Sequence, residues 1–459
     1  MNRKIFVFLS VLVFTTMVLA ACAPAATSTT APVEEAAPSE APAVEVATPT
    51  EATVEEEATP TNAPVAEAVT IRMLVRPDEG GNIEKFRTQF ESETGIKVSV
   101  DYVAWSDISN KTLTTLAAGG GGYDIVFMPS ADASKLIAGG WFEPINELIS
   151  EDQKADWVSA VLDFYTADGN LMAMPWYAGG AHMAYNKTIL ETAGVDPTTI
   201  VTWDDFMAAC KTIKEAGAAD FCFTPSAKYA GEFYYNWGTM VLSRGGTFFD
   251  DSGAPVFQNS TAALDSYAFL KEGIDKGYFN PAGVAMDDYE TLIDFGTGKT
   301  AFMLNSTWSA TQANTNPDLS TLVGKVGYIL VPGTGNVRSA AYLYAGGLGL
   351  LKTSEHKEEA KQFITYLTSA EAQKHHAIEG ANMPTRVALF EDADIAAAWD
   401  GFADLAAQLS YGEFVPAVSW LDEWRHSVAT SIQDVMSGTK SPQEAIDWLV
   451  TETDRIRNQ

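Results

Sequence analysis

Few residues in this sequence combine the type and the spacing that enzymatic chemistry requires. The chain has five histidines, and the adjacent His375 and His376 lie on a predicted helix, where neighbouring residues face different directions. Gly119 to Gly122 precede a predicted strand, whereas a phosphate-binding loop leads from a strand into a helix. No zinc-ligand spacing or nucleophilic serine motif is present. The sequence therefore predicts no catalytic residue, no metal site and no cofactor.

The acidic residues leave one enzymatic alternative open. Two facing carboxylates are enough to hydrolyse a glycosidic bond, and the chain has 60 aspartates and glutamates. No spacing singles out such a pair. A secreted, carbohydrate-active enzyme therefore stays the alternative to a protein that only binds its solute.

Tryptophan is abundant in this sequence, and all 11 tryptophans lie after residue 100. Tryptophan is seldom used merely to fill a core. A sugar ring has one apolar C–H face and a rim of hydroxyls, so a site for it combines aromatic faces with planar polar groups. Taken singly, each of these aromatic residues is explained equally well by core packing.

Three cysteines are present, and two of them lie in the predicted folded part. Cys210 lies on a predicted helix over 203–215, and Cys222 lies on the short strand that follows. An oxidising compartment permits a disulfide between them, and two buried thiols are the equally good alternative. Neither cysteine has a histidine nearby in the sequence, which argues against metal binding or catalysis.

The N-terminus has the pattern of an export signal. Arg3 and Lys4 precede an apolar run from Ile5 to Leu19, which is too short for a comfortable membrane span. Leu19-Ala-Ala-Cys22 resembles a bacterial lipobox, so we expect residues 1–21 to be removed and Cys22 to carry lipid. The alternative is an ordinary signal peptide with a coincidental cysteine.

Residues 22–68 differ in composition from the rest of the chain. The segment is rich in proline, glutamate, alanine and threonine, and it has no lysine, arginine or aromatic residue. Such a composition buries too little apolar surface to offset the entropy of ordering. The pattern predicts a disordered tether, and the preceding lipobox favours this over a processing remnant.

The remainder, 69–459, is longer than one domain usually is and strongly acidic. Its charge argues against nucleic acid and anionic lipid as partners.

The folded part alternates strand and helix patterns. Ile71, Met73 and Val75 alternate with their neighbours as in a strand, and Ile83, Phe86 and Phe90 share one helical face. The run at 124–128 indicates a buried parallel strand. This alternation predicts an α/β fold with mainly parallel sheets. Thr202 and Ser441 each precede an acid by three positions, which predicts two capped helix starts.

Several short motifs, taken in their order along nearly the whole mature chain, resemble those of a known family. They include Phe90-Glu-Ser-Glu-Thr-Gly-Ile-Lys-Val98, Asp168-Gly-Asn-Leu-Met-Ala-Met-Pro175, Ala184-Tyr-Asn-Lys187, Gly298-Lys-Thr-Ala-Phe-Met303 and Met383-Pro-Thr-Arg386. Each motif alone is weak, but their order and spacing are specific. The chain resembles the family 1 extracellular solute-binding proteins of bacterial ABC importers, whose best-known members bind oligosaccharides such as maltose.

The resemblance implies a two-lobe periplasmic-binding-protein fold of the type II kind, with solute bound between the lobes and captured by hinge closure. It places the N-terminal lobe at 69–177 plus 347–401 and the C-terminal lobe at 178–346 plus 402–459. The chain would cross between them near 177–180, 342–347 and 401–412. Gly179-Gly180 and Gly346-Gly347 suit a hinge, because glycine absorbs backbone rotation cheaply; tight packing is the alternative.

The resemblance also implies partners, a location and a set of ligand contacts. The partners would be a carbohydrate, the permease subunits of an ABC importer and its cytoplasmic ATPase, and the protein would be a lipid-anchored monomer outside the cell membrane. Trp308 follows the glycine-lysine motif, where the family often stacks an aromatic residue on sugar. The other expected contacts are Trp176, Tyr177, Trp237, Tyr342, Tyr344, Gly346, Arg386, Asp132, Trp420 and Trp424.

Solutes other than sugars stay open at this point. A phosphorylated solute would need clustered basic residues, and only Arg76 and Arg338 could join Arg386. A polyamine would need several acids, for which Asp78, Glu79, Asp132 and Glu232 are available.

Overall fold

A computed structural model describes residues 68–78, 81–229, 236–250, 252–415 and 418–459, with Ser106 described by its backbone alone. The predicted signal peptide, the lipidation site Cys22 and the tether up to residue 67 lie outside the described residues, as do Glu79 and Glu232. Within the ranges described, we find no helix with the length and apolar character needed to cross a membrane.

Eleven strands in the described part of the chain provide the frame of the molecule. The strands are β1 (Thr70–Val75), β2 (Lys97–Tyr102), β3 (Ile125–Pro129), β4 (Thr166–Ala167), β5 (Asn170–Leu171), β6 (Met174–Asn186), β7 (Phe221–Phe223), β8 (Thr300–Ser306), β9 (Val326–Ile329), β10 (Ala341–Leu350) and β11 (Gly412–Glu413). The main sheet has the order β2-β1-β3-β10-β6-β8-β7, with β11 paired to β10 and β9 paired to β6.

Two strands, β6 and β10, account for every antiparallel pairing in this sheet. β1 is parallel to β2 and β3, and β7 is parallel to β8. β10 runs antiparallel to β3 and β6, and β6 runs antiparallel to β8 and β9. The expected α/β fold is thus present, with parallel strands in each half and long strands that connect the halves.

Helices cover the faces of the sheet. They are α1 (Asn82–Thr94), α2 (Trp105–Ala117), α3 (Ala133–Ala138), α4 (Ser159–Phe164), α5 (Lys187–Ala193), α6 (Trp203–Ala216), α7 (Trp237–Leu242), α8 (Ala262–Asp275), α9 (Asp288–Gly296), α10 (Thr307–Thr315), α11 (Lys357–Leu367), α12 (Ala370–Gly380), α13 (Ala393–Ala398), α14 (Phe402–Leu409), α15 (Leu421–Ser437) and α16 (Pro442–Arg457). Short 3-10 turns lie at Asn146–Leu148, Glu151–Asp156, Pro197–Thr199, Phe257–Asn259, Pro281–Ala285 and Val387–Glu391.

The local predictions of helix starts and core faces are confirmed. α6 begins after Thr202 and α16 after Ser441, each with a complete capping box. Ile83, Phe86 and Phe90 form the buried face of α1, as their spacing predicts. Both features depend on residues within one or two helical turns, which is why the sequence alone reveals them.

The first crossing lies on β6, which changes partners along its length. Residues 174–180 pair with β10, and residues 181–186 pair with β8 and β9. The change falls between Gly180 and Ala181, three residues beyond the boundary predicted at 177/178. The division of the chain into lobes stays a prediction; below, the N-terminal and C-terminal lobes denote the two sides of this change.

The paired glycines of the crossings act as packing sites for tyrosine rings. A Cβ added to Gly179 would lie 2.2 Å from Cζ of Tyr344, and one added to Gly346 would lie 2.3 Å from Cε1 of Tyr177. These are cross-strand neighbours in the β6–β10 pair. Neither glycine has a positive φ, so tight packing, the alternative to a glycine hinge, is what the structure supports here.

The two cysteines of the folded part are joined in a disulfide. Cys210 on α6 and Cys222 on β7 have Cα atoms 5.1 Å apart, and both side chains are buried. The bond fastens a helix to the strand that follows it, within the C-terminal lobe.

Candidate functional site

A cavity of about 520 Å³ lies where the N-terminal lobe faces α15. One wall comes from the first turns of α2, with Trp105, and from Asp132 at the junction of β3 and α3. The opposite wall comes from Tyr229 and from the start of α15, with Arg425 and His426. The N-terminal wall follows the carboxyl ends of parallel strands, where open α/β sheets commonly bind ligands.

Asp132 is the charged centre of the N-terminal wall. The hydroxyl of Ser109, on α2, donates a hydrogen bond to its carboxylate. Burial raises the pKa of Asp132 above its ordinary value, against the lowering effects of Ser109 and of the positive charge of Arg425. Because Arg425 lies on α15, this electrostatic interaction crosses the cavity and links its two walls.

The C-terminal wall combines two rings in close, tilted contact with a carboxylate. The rings of Tyr229 and His426 lie 3.6 Å apart between centroids, and the phenol of Tyr229 donates a hydrogen bond to Asp422. Burial, with the neighbouring carboxylate of Asp422, raises the pKa of Tyr229, so this phenol stays protonated at neutral pH. Arg425 behind them is only 2% exposed. The wall therefore offers an aromatic surface bordered by hydrogen-bonding groups.

Trp105 provides a second aromatic surface, on the N-terminal side. Trp105 is 42% exposed. The guanidinium of Arg76, at the end of β1, lies 5.5 Å from its ring centroid and donates a hydrogen bond of 3.3 Å to the phenol of Tyr177. The ring of Phe127 lies 6.3 Å from that of Trp105 between centroids, so part of the indole is in contact with the protein and the rest is exposed.

Of the expected ligand contacts, Asp132 is the one that lines this cavity. Tyr177, Tyr342, Tyr344 and Gly346 lie on the crossing strands, where the tyrosines are nearly or fully buried. Tyr177 and Tyr344 cover the crossing glycines, and the amide of Tyr342 donates to Thr239. The structure thus brings these residues together at the crossing, beside the cavity and not in its wall.

Three expected contacts are packed in the core of the structure, and their contact with a ligand stays a prediction. Trp176 stacks on His376, Trp237 stacks on Tyr267, and the indole N–H of Trp424 donates to Thr453. All three tryptophans have 0% exposure. Aromatic neighbours from other elements surround each ring, and sequence spacing does not reveal such neighbours.

Trp420 and Arg386 are also explained by packing. Trp420 is half-buried and lies edge-on to Phe249, at 5.0 Å between centroids. The guanidinium of Arg386 lies 3.8 Å from the ring centroid of Trp157 and donates to the carbonyl of Thr368. Burial lowers the pKa of Arg386, which remains a cation. Its position clamps the segment after α12 to the N-terminal lobe.

Trp308 lies outside the cavity wall, at the second position of α10. β8 ends at Ser306 and the helix begins at Thr307, so Trp308 lies two residues beyond the end of the strand. Its half-buried ring lies parallel to that of Tyr289, which is 52% exposed, with centroids 6.5 Å apart. Contact between Trp308 and a ligand stays a prediction.

The cavity residues that sequence reasoning missed fall into two groups. Trp105 follows the carboxyl end of β2, so the rule that ligands bind at such ends could have identified it. Tyr229, Asp422, Arg425 and His426 come from two distant segments of the chain. Only the folded arrangement of the C-terminal lobe brings them together. Among the residues that the structure describes, no group of three histidine, cysteine or acidic side chains is placed to hold a metal ion.

Comparison with known proteins places this architecture in a family. The model of the bacterial extracellular solute-binding proteins matches residues 77–374. The chain is 28% identical to a mannitol-binding protein of Pseudomonas aeruginosa over 301 residues, which are 63% of this chain and 67% of that protein. It is 25% identical to the diacetylchitobiose-binding protein DasA of Streptomyces coelicolor over 367 residues, 78% and 82% of the two chains.

Solved structures show the same fold. The maltose-bound MalE3 of T. maritima superposes with a TM-score of 0.73 at 23% identity, covering 85% of this chain and 100% of that one. A D-mannitol-bound solute-binding protein of Agrobacterium vitis gives a TM-score of 0.69 at 24% identity, with 85% and 99% covered. Together with the match over most of the folded part, these findings show that the chain belongs to the bacterial extracellular solute-binding proteins.

Proposed function

We propose that this protein captures a neutral carbohydrate or sugar alcohol in the cavity between its lobes and delivers it to an ABC importer. The observation that carries the proposal is the exposed indole of Trp105, opposite a wall that holds the close ring pair Tyr229 and His426. Aromatic surfaces suit the C–H face of a sugar, and Asp132 and Arg425 can accept from and donate to its hydroxyls. The names of the two curated relatives support this class of solute.

The size and charge of the cavity favour a small neutral solute. A volume of about 520 Å³ lies within the usual range for small-molecule sites. Asp132 and Asp422 are balanced by Arg425 and Lys135 in the same walls. Arg338 does not line the cavity, and Arg76 is engaged with Tyr177, so the basic cluster that a phosphate needs is not formed by the described residues.

A cationic solute is the second candidate, because two carboxylates lie in the cavity. Asp132 and Asp422 could both accept from an ammonium group. The positive charge of Arg425, only 2% exposed beside them, opposes a cation and makes the neutral solute the better fit. Asp78 is used differently, since its carboxylate accepts from the amide of Ile83 at the start of α1.

The proposal includes capture by hinge closure, a lipid anchor at Cys22 and action as a monomer at the outer face of the membrane. Closure would bring Trp105 towards the Tyr229 wall and exclude water from the solute. The anchor rests on the lipobox that precedes Cys22. Changing Cys22 to Ser should release the protein from the membrane fraction, and retention of that variant after detergent-free lysis would contradict the anchor.

A thermal-shift screen followed by calorimetry tests the proposed solute. The panel contains D-mannitol, maltose, diacetylchitobiose, spermidine and glycerol phosphate, because a solute that binds only the folded state raises Tm. We expect a rise with one of the first three, and loss of that rise in Trp105→Ala but not in Trp448→Ala, a half-buried tryptophan of α16. A rise with spermidine alone would replace the proposal by the cationic candidate.

The enzymatic alternative is tested on the same samples. A binding protein returns its sugar unchanged, so chromatography of the solute after long incubation should show no cleavage product. Product formation that Asp132→Asn abolishes would overturn the proposal and identify a carbohydrate-active enzyme.

A further inference from the structure

The three connections between the lobes meet around Gly180. A Cβ added to this residue would lie 3.1 Å from the carbonyl oxygen of Tyr342, 3.2 Å from Cδ2 of Leu343 and 3.3 Å from Cδ2 of Leu409. Gly180 lies on β6, Leu343 on β10, and Leu409 ends α14. One residue of the first connection is therefore in contact range of both others, so a rotation between the lobes has to pass through this point.

The hydroxyl of Thr307 holds the first connection at the same point. The amide of Gly180 donates to Oγ1 of Thr307 over 3.0 Å, and Nε2 of His182 lies 2.9 Å from the same oxygen. Both Thr307 and His182 are buried. A hydroxyl has one proton and two lone pairs, so it can bond to the amide and to the imidazole at once.

These hydrogen bonds lie where β6 changes partners. Gly180 is the last residue that pairs with β10, and Ala181 is the first that pairs with β8. Desolvation lowers the pKa of His182 to about 3, so the imidazole stays neutral and carries no charge that water would have to enter and solvate. Thr307 is the first residue of α10, so its hydroxyl ties the crossing strand to a helix of the C-terminal lobe.

The other two connections have similar bonds, one at Tyr342 itself and one at Gln408, next to Leu409, but neither bond holds Gly180. The amide of Tyr342 donates to Oγ1 of Thr239 over 3.2 Å, and Oε1 of Gln408 accepts from the amide of Val331 over 2.7 Å. Each of these two connections is thus fixed to the C-terminal lobe by one such buried bond, whereas the hydroxyl of Thr307 also lies 3.4 Å from the carbonyl oxygen of Gly180, to which it can donate. Of these side chains, only Thr307 holds Gly180, the residue within contact range of both other connections.

We infer that Thr307 is a positioning residue of the hinge, whose hydroxyl fixes Gly180 against the C-terminal lobe and thereby sets the angle between the lobes before solute binds. The inference rests on the proposed capture by closure. Removing the hydroxyl leaves the amide of Gly180 without its partner, so we expect the lobes to sample a wider range of angles.

Distances between spin labels on the two lobes test this in the unliganded full chain carrying Cys22→Ser. The labels replace Lys111 on α2 and Thr430 on α15, both exposed, on the two helices that line the opposite walls. We expect Thr307→Val to broaden and shift the distance distribution, and Thr307→Ser, which keeps a hydroxyl, to restore it. Thr311→Val is the matched control, because Thr311 is a buried threonine of the same helix whose hydroxyl donates to the carbonyl of Thr307.

Each outcome decides between the inference and its alternatives. A distribution for Thr307→Val that coincides with that of Thr311→Val would overturn the inference. If melting curves show that Thr307→Val does not fold, Thr307→Ala against Thr311→Ala repeats the comparison without added bulk. Wild-type distances that stay unchanged when a solute with a measured Kd saturates the protein would instead contradict closure itself, which distinguishes failure of the proposed function from failure of the role of Thr307.

Discussion

The N-terminal wall of the cavity and the aromatic core of the C-terminal lobe use tryptophan in opposite ways. Trp105 begins a helix with 42% of its side chain exposed, whereas Trp424 has 0% exposure and its indole N–H donates to Thr453 over 2.8 Å. Trp424 also lies within 4.7 Å of Phe249 between ring centroids. The residue type is the same, but Trp424 is enclosed by the fold, whereas part of the Trp105 ring is exposed. Trp424 therefore contributes to stability, and Trp105 is accessible to a solute.

The largest effect should come from a substitution in the aromatic core, which should lower the free energy of unfolding. Trp424→Ala leaves a cavity between α15 and α16 and removes the indole donor to Thr453, so we expect a loss of about 3–5 kcal/mol in the free energy of unfolding. Urea titration of the purified protein measures it. Trp448→Ala, on the half-buried outer side of α16, is the control and should lose far less. Equal losses in the two variants would show that Trp424 is not the packing centre of this lobe.

The disulfide is the next contribution to the same lobe. Cys210 and Cys222 close a loop with a sequence separation of 12, for which a cross-link stabilises by about 3 kcal/mol. The double substitution Cys210→Ala/Cys222→Ala should lower stability by that order and leave solute affinity unchanged, because neither residue lines the cavity. Urea titration and calorimetry on the same preparation check both statements. A large fall in affinity at full folding would contradict this separation.

The cavity side of the comparison is tested by Trp105→Ala. A large aromatic residue that loses water on binding commonly contributes at least about 2 kcal/mol, so affinity should fall about 30-fold. Stability should change by less than about 1 kcal/mol, because much of the ring is already exposed. Calorimetry with the solute found in the screen measures the first, and urea titration the second. The comparison fails if Trp105→Ala loses stability as Trp424→Ala does and keeps its affinity.

The difference between these two tryptophans also shows which features can be predicted from the sequence and which cannot. The capping boxes at Thr202 and Ser441, the buried face of α1 and the buried strand β3 depend on local patterns, and the sequence predicts them correctly. The role of an individual ring depends on neighbours far along the chain. The partners of Trp424 include Phe249 and Thr453, and no periodicity around residue 424 indicates either one. The same holds for Arg425 and His426, which reach the cavity only because α15 packs beside Tyr229.

The smallest effect concerns the carboxylate that faces both lobes. Because burial raises the pKa of Asp132 in the folded protein, the native state holds its proton more tightly than the unfolded chain does. Stability contributed by the neutral acid is therefore present below the ordinary pKa and is lost as the pH rises through the folded pKa.

The substitution Asp132→Asn tests this linkage. Asparagine cannot ionise, and its amide oxygen can still accept from Ser109. Relative to the wild type, the variant should be more stable at pH 7 than at pH 3, by less than about 1 kcal/mol. Urea titrations at both pH values measure this difference, with Asp107→Asn, an exposed carboxylate on α2, as the control. If the two variants show the same pH dependence, the charge of Asp132 costs the folded state nothing, and Ser109 and Arg425 offset its desolvation more fully than the raised pKa indicates.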